Sequence, residues 1–417
     1  MEPVSPWART GMAEGLKDKQ IVLGICGGIA AYKAADFLRL LVKCGANVRV
    51  VMTRAAQAFV GPVTFEALSK SPVWTHLFKG RHDGALKHIQ WADEADGAVI
   101  IPATANTIGK MAHGIADDPL TTLVLALGAP ILVCPAMNVN MYENALVKKN
   151  IERLRQAGFH FAGPGTGSLA CGHEGAGRLA PIEDIAEQLR CLLSPQDLAG
   201  VSVLVTAGPT REPVDPVRFI GNPSSGKMGY ALARAANRRG AKVLLISGPT
   251  VLGDPQGVSV IRVKTAQEMF DAVMAHGDDH GVIIKAAAVS DWRPMSVSQD
   301  KLKKAEMEHT LSLERTPDIL KALGEQKKGH QILVGFAAET QDLLENARAK
   351  MAEKNVDLMV GNLVGTGHSG FGSDSNQASI LSRDGGVEAL PVMDKGDLAD
   401  IILDRVLALE RRTAPEG

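Results

Sequence analysis

The chain has 417 residues with 45% hydrophobic residues and a formal net charge of -1, so two globular domains are expected. This charge balance gives no electrostatic reason to expect nucleic acid or an anionic membrane as partner, and 4% aromatic residues argue against base-stacking surfaces. The five cysteines include no C-x-x-C pair, which argues against a disulfide framework or zinc cluster and favours a cytoplasmic location.

The N-terminal segment, residues 1–18, lacks the apolar core of a signal peptide and is expected to be a disordered extension. The longest apolar stretch, residues 122–137, is interrupted by Gly-Ala-Pro and is too short to cross a bilayer. It predicts a short buried helix followed by a strand.

One pattern of elements occurs twice along the chain. QIVLGICGG, AAYKAADFLRLLVKCG and ANVRVVMT read as strand, helix and strand, and VSVLVTAGPT, SGKMGYALARAANRRG and AKVLLISG repeat that order after residue 200. Helices between buried parallel strands predict two doubly wound, Rossmann-like α/β domains. The expected division is a domain over 19–190, a polar linker over 191–200 and a domain over 201–417.

Sheets of this kind bind ligands at the carboxyl ends of their strands, where loops meet helix N-termini. Neither glycine loop matches the dinucleotide fingerprint G-x-G-x-x-G, and SSGKMG lacks the first glycine and final hydroxyl of a phosphate loop. In the first domain, the opening glycine loop, PATANT after GAVIIPA, and PAMN after ILVC all fall at this predicted edge. The backbone amides of PATANT are expected to suit a phosphate.

Three single residues of the first domain stand near these segments. His88 precedes the strand GAVIIPA, Asn138 ends PAMN, and Cys171 lies among the glycines of GSLACGHEGAGR. Taken singly, they are compatible with a structural or exposed histidine, a turn asparagine and an ordinary loop cysteine. The flexible glycines and the adjacent His173 favour a reactive thiol, whereas no partner motif supports one.

In this order, GICGGIAAYK, HIQWADEAD, PATANTIGKMAHGIADD, PAMNVNMYEN and GSLACGHEGAGR resemble the flavin-dependent cysteine decarboxylases, across about residues 20–190. The resemblance implies a flavodoxin-like domain that binds FMN at the first loop and at PATANT. The implied FMN-binding residues are Gly27, Gly28, Thr53, Pro102, Ala103, Thr104, Ala105, Asn106 and Thr107.

The same resemblance implies catalytic roles for three side chains. Oxidation of the substrate thiol by FMN would give a thioaldehyde, so that loss of CO₂ leaves a delocalised enethiolate. His88 would act as base, Asn138 would orient the substrate carboxylate, and Cys171 would protonate the enethiolate carbon. Cys26 stands where the family usually has Ser, and its weaker hydrogen bond is expected to loosen one flavin phosphate contact.

The second domain opens with GPTREPVDPVRFIGNPSSGKMG, a loop rich in turn formers and basic residues that leads into a helix. It is either an anion-binding loop at a helix N-terminus or a long ordered connector. GVIIKAAAVSDWRP then predicts a strand that ends before Asp291. The segment KLKK, 301–304, is either a solvated surface cluster of lysines or a cluster that binds a triphosphate in a ligand cleft. Lys350 and Lys354 are spaced i, i+4 on one predicted helix face.

This order of segments resembles the phosphopantothenate–cysteine ligases of the CTP-using bacterial type, across about residues 200–410. By that resemblance Asn222 converts an acyl-cytidylate intermediate and Lys301 supports its formation. The implied CTP-binding residues are Lys285, Ala286, Ala287, Asp291, Lys301, Pro317, Asp318, Ile319, Leu320, Phe336, Lys350 and Lys354. Mg²⁺ is expected with the triphosphate, without residues that identify its ligands. Ser290 stands where Ala is more usual.

Together the two resemblances imply consecutive steps of coenzyme A synthesis, in which 4′-phosphopantothenate, L-cysteine and CTP give phosphopantothenoylcysteine, then 4′-phosphopantetheine. They also imply a homo-oligomer, with trimeric flavin domains and dimeric ligase domains in a dodecamer. A nicotinamide oxidoreductase is an alternative that the missing G-x-G-x-x-G disfavours, and a flavin absorbance spectrum would distinguish it. A non-catalytic flavin-binding regulator is another, disfavoured because both His88 and Cys171 are present.

Overall fold

The computed structural model describes residues 15–78, 86–168, 174–302, 310–339, 343–363 and 373–413. The chain divides into two compact units, Met1–Ser194 and Pro195–Gly417. Each unit is built on a sheet whose central strands are parallel and whose faces are covered by helices. The predicted pair of doubly wound α/β domains is therefore confirmed.

The first unit contains a five-stranded parallel sheet. Its strands are β1 (Gln20–Ile25), β2 (Asn47–Met52), β3 (Gly97–Ala103), β4 (Ile131–Pro135) and β5 (His160–Phe161), in the order β2-β1-β3-β4-β5. A separate antiparallel pair consists of β6 (Gly165–Ser168) and β7 (Glu174–Arg178). The helices are α1 (Ala31–Lys43), α2 (Pro62–Ser69), α3 (Lys87–Glu94), α4 (Ala105–Ala112), α5 (Pro119–Ala126), α6 (Val139–Glu143), α7 (Ala145–Gln156) and α8 (Ile182–Leu193), with a 3₁₀ turn at Ala56–Ala58.

Central strands β1, β3 and β4 are almost wholly buried, because helices cover both faces of the sheet. Strand order reverses at β1, which pairs with β2 on one side and with β3 on the other. The loops after β1 and β3 therefore separate at the carboxyl edge and leave a crevice there. The apolar stretch 122–137 is divided between α5 and β4 as predicted, and none of the described helices could span a membrane.

The predicted N-terminal extension over 1–18 is wrong for its last four residues. Residues 15–18 form turns, and the side chain of Leu16 is 0% exposed in the core. Asp18 N also donates to Gly45 O at 2.9 Å, which ties this segment to the end of α1. Burial of one leucine on the sheet thus orders a stretch whose composition is polar, while residues 1–14 lie outside the described residues.

The second unit contains an eight-stranded sheet and three short strand pairs. In chain order its strands are β8 (Ser202–Ala207), β9 (Glu212–Pro213), β10 (Phe219–Ile220), β11 (Lys242–Ser247), β12 (Ser259–Arg262), β13 (Val282–Lys285), β14 (Trp292–Pro294), β15 (Leu313–Arg315), β16 (Ile332–Glu339), β17 (Leu358–Leu363), β18 (Ser375–Asn376), β19 (Ala378–Ser382), β20 (Val387–Ala389) and β21 (Met393–Asp394). The large sheet has the order β12-β11-β8-β13-β16-β17-β19-β20, in which β19 runs antiparallel to both of its neighbours, β17 and β20. The helices are α9 (Lys227–Arg238), α10 (Ala266–His276), α11 (Ile319–Gln326), α12 (Leu343–Glu353) and α13 (Lys395–Thr413), with a 3₁₀ turn at Gly277–Asp279.

Two glycines set the position of α9 against the sheet. Gly226 precedes the helix with φ +75°, a left-handed conformation that favours glycine. A Cβ at Gly229 would lie 2.5 Å from Ala207 Cβ, so the helix can approach β8 only because this position is glycine. The start of α9 is thereby held beside the carboxyl edge of the large sheet.

The segment 191–200, expected as a linker, is divided between the two units. Its first residues complete α8, and its remainder belongs to the second unit. There Arg239 pairs with Asp197 at 2.8 Å, and Leu198 is fully buried. Most of the segment is exposed or half-buried, as its polar composition suggests, and the Asp197–Arg239 ion pair and buried Leu198 anchor it to the second unit.

Candidate functional sites

A cavity of about 1230 Å³ opens at the carboxyl edge of the first unit's sheet. Seven of the nine predicted flavin residues line it, namely Gly27, Gly28, Thr53, Thr104, Ala105, Asn106 and Thr107. The other two, Pro102 and Ala103, are buried within β3 and lie outside the wall. The structure thus brings together the glycine loop and the PATANT segment, which are far apart in the sequence.

The glycine loop after β1 forms one wall of the cavity, where it lies close to the loop that follows β2. A Cβ at Gly27 would lie 2.5 Å from Ala55 Cβ and 2.7 Å from its carbonyl carbon. Helix α1 begins four residues later at Ala31, with no side-chain hydrogen bond at its N-cap, Ala30, and no acidic residue in its first turn. Backbone N–H groups at such a helix start suit a phosphate.

A second wall is formed by the start of α4. Thr104 caps the helix by accepting from Thr107 N at 3.3 Å. Cys26 lies behind these residues and is fully buried. Burial raises the pKa of its thiol to about 11, although hydrogen bonds to the Thr107 side chain and to the backbone of Thr104 act in the opposite direction. The thiol faces α4 and is not among the described residues of the cavity wall, and its expected effect on a flavin phosphate contact stays a prediction.

Asn138 lines a third wall, at the end of β4. Its side-chain oxygen accepts from Asn140 N at 2.8 Å and caps α6. The neighbouring Met137 N donates to Gly177 O at 2.9 Å, and a Cβ at Gly177 would overlap Met137 O. The β6–β7 pair is therefore held beside Asn138. Cys171 lies outside the described residues, between these two strands.

Charged side chains in this wall were missed by the sequence analysis. They are Lys33, Arg54, Lys110, Asp117, Asp118 and Arg178. Four cations against two carboxylates favour an anionic ligand. Lys110 donates to Asp117 at 2.6 Å and to Asp118 at 3.3 Å, and the hydrogen bond to Asp117 raises the pKa of Lys110. Three of these six residues, Lys110, Asp117 and Asp118, belong to the segment PATANTIGKMAHGIADD, but only the turn after α4 brings their side chains together.

His88 is not brought to this cavity by its own chain. It is half-buried on α3 and is absent from the described wall. The ammonium of the preceding Lys87 lies 4.8 Å from the Trp91 ring centroid and 5.4 Å from that of Trp74. These cation–π contacts help fix the orientation of α3 on the sheet.

A second cavity, of about 270 Å³, lies at the carboxyl ends of β13 and β16 in the second unit. The predicted residues in its wall are Asn222, Lys285, Ala286, Ala287, Asp291 and Phe336. The start of α9 contributes Ser224, Ser225, Gly226 and Lys227, and Asn362, Asn376 and Lys395 are also present. The structure thus brings the predicted anion-binding loop to the predicted nucleotide strand.

One hydrogen bond joins the two predicted segments directly. Asn222 Nδ2 donates to Val289 O at 2.9 Å. The following residue, Ser290, is buried. Its N–H donates to Thr210 Oγ1 at 3.0 Å, and its hydroxyl donates to Trp292 O at 2.8 Å. The unusual serine is therefore accommodated by the turn that presents Asp291.

Lys285 connects the cavity to the predicted turn Pro317–Leu320. Its ammonium donates to Ala287 O at 3.1 Å, and burial lowers the pKa of Lys285 to about 8, with Asp318 acting in the opposite direction. Asp318 also accepts a hydrogen bond from Lys354 at 2.7 Å. Burial raises the pKa of Asp318, but the hydrogen bond from Lys354 helps to bring that pKa below its usual value. None of the turn residues lines the described cavity wall, and Ile319 and Leu320 are buried in the core.

The remaining predicted ligase residues lie away from the wall. Lys354 directly follows α12 and its N–H donates to Lys350 O at 3.0 Å, so the two lysines lie one helical turn apart as predicted, with the Lys354 ammonium bonded to Asp318. Lys301 is exposed and outside the wall, and Lys303 and Lys304 lie beyond the described residues. No group of three potential metal-binding His, Cys, Asp or Glu side chains occurs within the described ranges.

Comparison with known proteins covers both units. The family described as Flavoprotein matches residues 11–194, and the family described as DNA/pantothenate metabolism flavoprotein C-terminal domain matches residues 198–409. A coenzyme A biosynthesis bifunctional protein CoaBC from Bacillus subtilis is 49% identical over 402 residues, which cover 95% of this chain and 99% of that protein. The protein of the same name from Escherichia coli K12 is 42% identical and covers 94% of this chain and 97% of its own length.

Two solved structures are similar to parts of the chain. The C-terminal domain of a coenzyme A biosynthesis bifunctional protein CoaBC is 43% identical with a TM-score of 0.45, and the match covers 52% of this chain and 99% of that one. The FMN-dependent cysteine decarboxylase SpaF is 32% identical with a TM-score of 0.38, and the match covers 43% of this chain and 97% of that one.

Proposed function

The chain belongs to the family of coenzyme A biosynthesis bifunctional proteins, and from that premise we propose how its two units divide the work. The second unit joins 4′-phosphopantothenate to L-cysteine with CTP. The first unit, with FMN, converts the product phosphopantothenoylcysteine to 4′-phosphopantetheine. The observation that carries this division is that each unit presents, at its own carboxyl edge, a cavity lined by the motifs of one activity.

The first cavity fits FMN in size, backbone shape and charge. Its volume, about 1230 Å³, exceeds that of an ordinary small-molecule pocket and leaves room for substrate beside a flavin. Gly27, Gly28 and the start of α1 would hold the phosphate, and Thr104 and Thr107 would provide further hydrogen bonds. When bound, the flavin supplies a reversible two-electron oxidation.

The chain's own residues would bind the substrate and move protons around that chemistry. His88 would take up the thiol proton, and the Asn138 amide would hold the substrate carboxylate in one orientation. Cys171 would deliver a proton to the enethiolate carbon once CO₂ has left. Support for Asn138 comes from its place in the cavity wall and its fixed side-chain oxygen. The role of Cys171 rests on its motif and on the anchoring of β7 beside Asn138.

We further propose that the flavin unit works as a homo-oligomer in which a neighbouring subunit supplies His88. The histidine is absent from the described wall of its own chain's cavity. Ile29 and Tyr32, at the wall, are 65% and 57% exposed, which leaves an apolar rim that a neighbour would cover. Trimeric packing of this unit, and a dodecamer overall, would satisfy both observations.

Subunit complementation tests the shared site. We expect His88→Asn and Asn138→Asp chains each to lose decarboxylation, whereas their coexpression restores part of it, because some sites then combine an intact His88 with an intact Asn138. The measurement is CO₂ release from phosphopantothenoylcysteine by the purified mixed oligomer. Coexpression of His88→Asn with a His88→Asn/Asn138→Asp chain is the matched control, since no site there regains His88. Equal activity of the two mixtures would show that His88 acts within its own chain.

In the second unit, the cavity supports activation of the 4′-phosphopantothenate carboxylate by CTP. The backbone of Lys285–Ala287, Asp291 and Phe336 would hold the cytidine, and Lys301 would assist formation of the acyl-cytidylate. The side chains of Asp318, Lys350 and Lys354 would add charge at the other nucleotide contacts. Mg²⁺ would enter with the phosphates, since the described residues offer no carboxylate cage. Exposed Phe219 and Trp292, on the short ribbons, favour dimeric packing of this unit.

One assay tests the whole proposal. Purified protein incubated with 4′-phosphopantothenate, L-cysteine, CTP and Mg²⁺ is expected to release CMP and CO₂ and to show a flavin absorbance spectrum. The same mixture without cysteine is the control, because the acyl-cytidylate then has no amine acceptor. A protein that released neither CMP nor CO₂ would contradict both activities, and one without flavin would contradict the assignment of the first cavity. A cytoplasmic location also belongs to this proposal, since none of the four described cysteines forms a disulfide.

A further inference from the structure

Lys395 is a buried ammonium group in the wall of the second unit's cavity. It begins α13 and is 8% exposed. Within the described part of the chain, its one hydrogen-bond acceptor is Ser373 O, at 2.6 Å. An ammonium group has three donors, so this single carbonyl leaves most of its hydrogen-bonding capacity to the cavity.

A second ammonium group, that of Lys227, lies in the same wall at the start of α9. It pairs with Asp374 at 2.6 Å, and that carboxylate is 44% exposed. Because the partner is open to solvent, the pair contributes little stability and can give way to another anion. Lys227 and Lys395 come from distant parts of the sequence and meet only in the folded unit.

The charges of the wall are out of balance. Its charged members are Lys227, Lys285, Lys395 and Asp291. A buried charge is costly without a counter-ion. Burial lowers the pKa of Lys395, and the like charge of Lys227 lowers it further. The carboxylates of Asp374 and Asp394 offset only part of this decrease. An anion placed between the two lysines would offset both effects.

The groups beside the two lysines are also hydrogen-bond donors. Ser224 and Ser225 line the wall ahead of α9, whose first turn carries no acidic residue and no side-chain cap. Hydroxyls, free-standing helix N–H groups and ammonium ions together match phosphate oxygens, which are acceptors only. A cation would be repelled by the two ammonium groups, and a neutral ligand would leave their charge without a counter-ion.

We propose that Lys395 and Lys227 bind the terminal phosphates of the nucleoside triphosphate and stabilise the pyrophosphate as it leaves. The proposal rests on the proposed function of the second unit. In that step a substrate carboxylate oxygen forms a bond to the α-phosphorus, and the bond from the α-phosphorus to the bridging oxygen breaks. The electron pair of the broken bond stays on pyrophosphate, whose added negative charge the two ammonium groups offset.

The test compares three variants of the full chain. Lys395→Met keeps the length of the side chain and removes its charge, Lys395→Arg keeps the charge, and Lys242→Met removes an exposed lysine elsewhere in the unit. Calorimetric titration with pyrophosphate and with CTP is expected to show binding at least tenfold weaker in Lys395→Met, partly restored in Lys395→Arg and unchanged in Lys242→Met. The kcat for CMP release should fall in Lys395→Met with little change in the KM for 4′-phosphopantothenate.

Each result decides something. If the wild-type chain releases CMP and Lys395→Met binds pyrophosphate as tightly as wild type, the inference is overturned while the ligase function stands. If the wild-type chain releases no CMP, the proposed ligase function itself fails. Should Lys395→Met not fold, as judged by its thermal transition, Lys227→Met takes its place. Unchanged pyrophosphate affinity in that variant would likewise overturn the pairing of the two lysines.

Discussion

Replacing Asn222 with Asp is expected to stop the second unit after the acyl-cytidylate has formed, with roughly a 10²–10³-fold loss of ligation, the usual effect of removing one well-placed donor. Asn222 Nδ2 donates to Val289 O at 2.9 Å and so holds the loop before α9 against the segment that follows β13. A carboxylate cannot donate this bond. It would also place a negative charge beside an anionic intermediate, in a wall that carries cations.

Rapid quenching of the reaction and separation of the nucleotides measures this effect. Asn222→Asp should release pyrophosphate in an initial burst, accumulate the acyl-cytidylate and release CMP slowly. Asn237→Asp is the matched control, because Asn237 Nδ2 donates to Gln256 O at 3.1 Å on α9 outside the cavity wall. It should ligate at close to the wild-type rate. Failure to detect any acyl-cytidylate in Asn222→Asp would count against the role assigned to Asn222.

Cys171→Ser is expected to separate decarboxylation from the final reduction in the first unit. A serine hydroxyl is a far weaker acid than a thiol, so the enethiolate carbon would lose its proton donor. Ligation and flavin content should persist, since they use other residues, and CO₂ release should stop after about one equivalent per flavin, because nothing then reoxidises the flavin. The product should remain the oxidised enethiol, two hydrogens short of 4′-phosphopantetheine, and the flavin should stay reduced.

Mass spectrometry of the product, combined with flavin absorbance under anaerobic conditions, measures this outcome. Cys191→Ser is a matched control, because Cys191 is a half-buried residue of α8 that does not line the flavin cavity. It should yield 4′-phosphopantetheine as the wild type does. Normal 4′-phosphopantetheine output from Cys171→Ser would remove Cys171 from the proton-transfer step.

Much of the fold could be predicted because strand and helix patterns are local. The runs QIVLGI, GAVIIPA and ILVCP became β1, β3 and β4, since continuous apolar residues suit strands covered on both faces. The errors were at the ends of elements. Leu16 is buried although its neighbours are polar, and the expected linker 191–200 begins inside α8, which ends at Leu193.

The candidate sites were predicted only where their residues lie in quoted motifs. The glycine loop and PATANT line the first cavity, and Asn222, Asp291 and the Lys285–Ala287 strand end line the second. Isolated charges such as Arg54 and Lys395 carry no motif, so no local pattern could identify them. His88 was identified by its motif, yet the motif could not show that its own chain leaves it outside the cavity.

The sequence by itself determined the number of domains, their α/β class and the loops at which ligands would bind, because strand and helix periodicity and glycine requirements are written in neighbouring residues. Only the tertiary structure decided which of those loops face one another and which side chains line the space between them. Lys227 and Lys395 show the reason most clearly. Their presence in one cavity wall depends on the order of strands in the sheet and on α9 and α13 beginning at the same edge. Contacts between residues so far apart in the chain produce no local sequence pattern, so they could not be predicted.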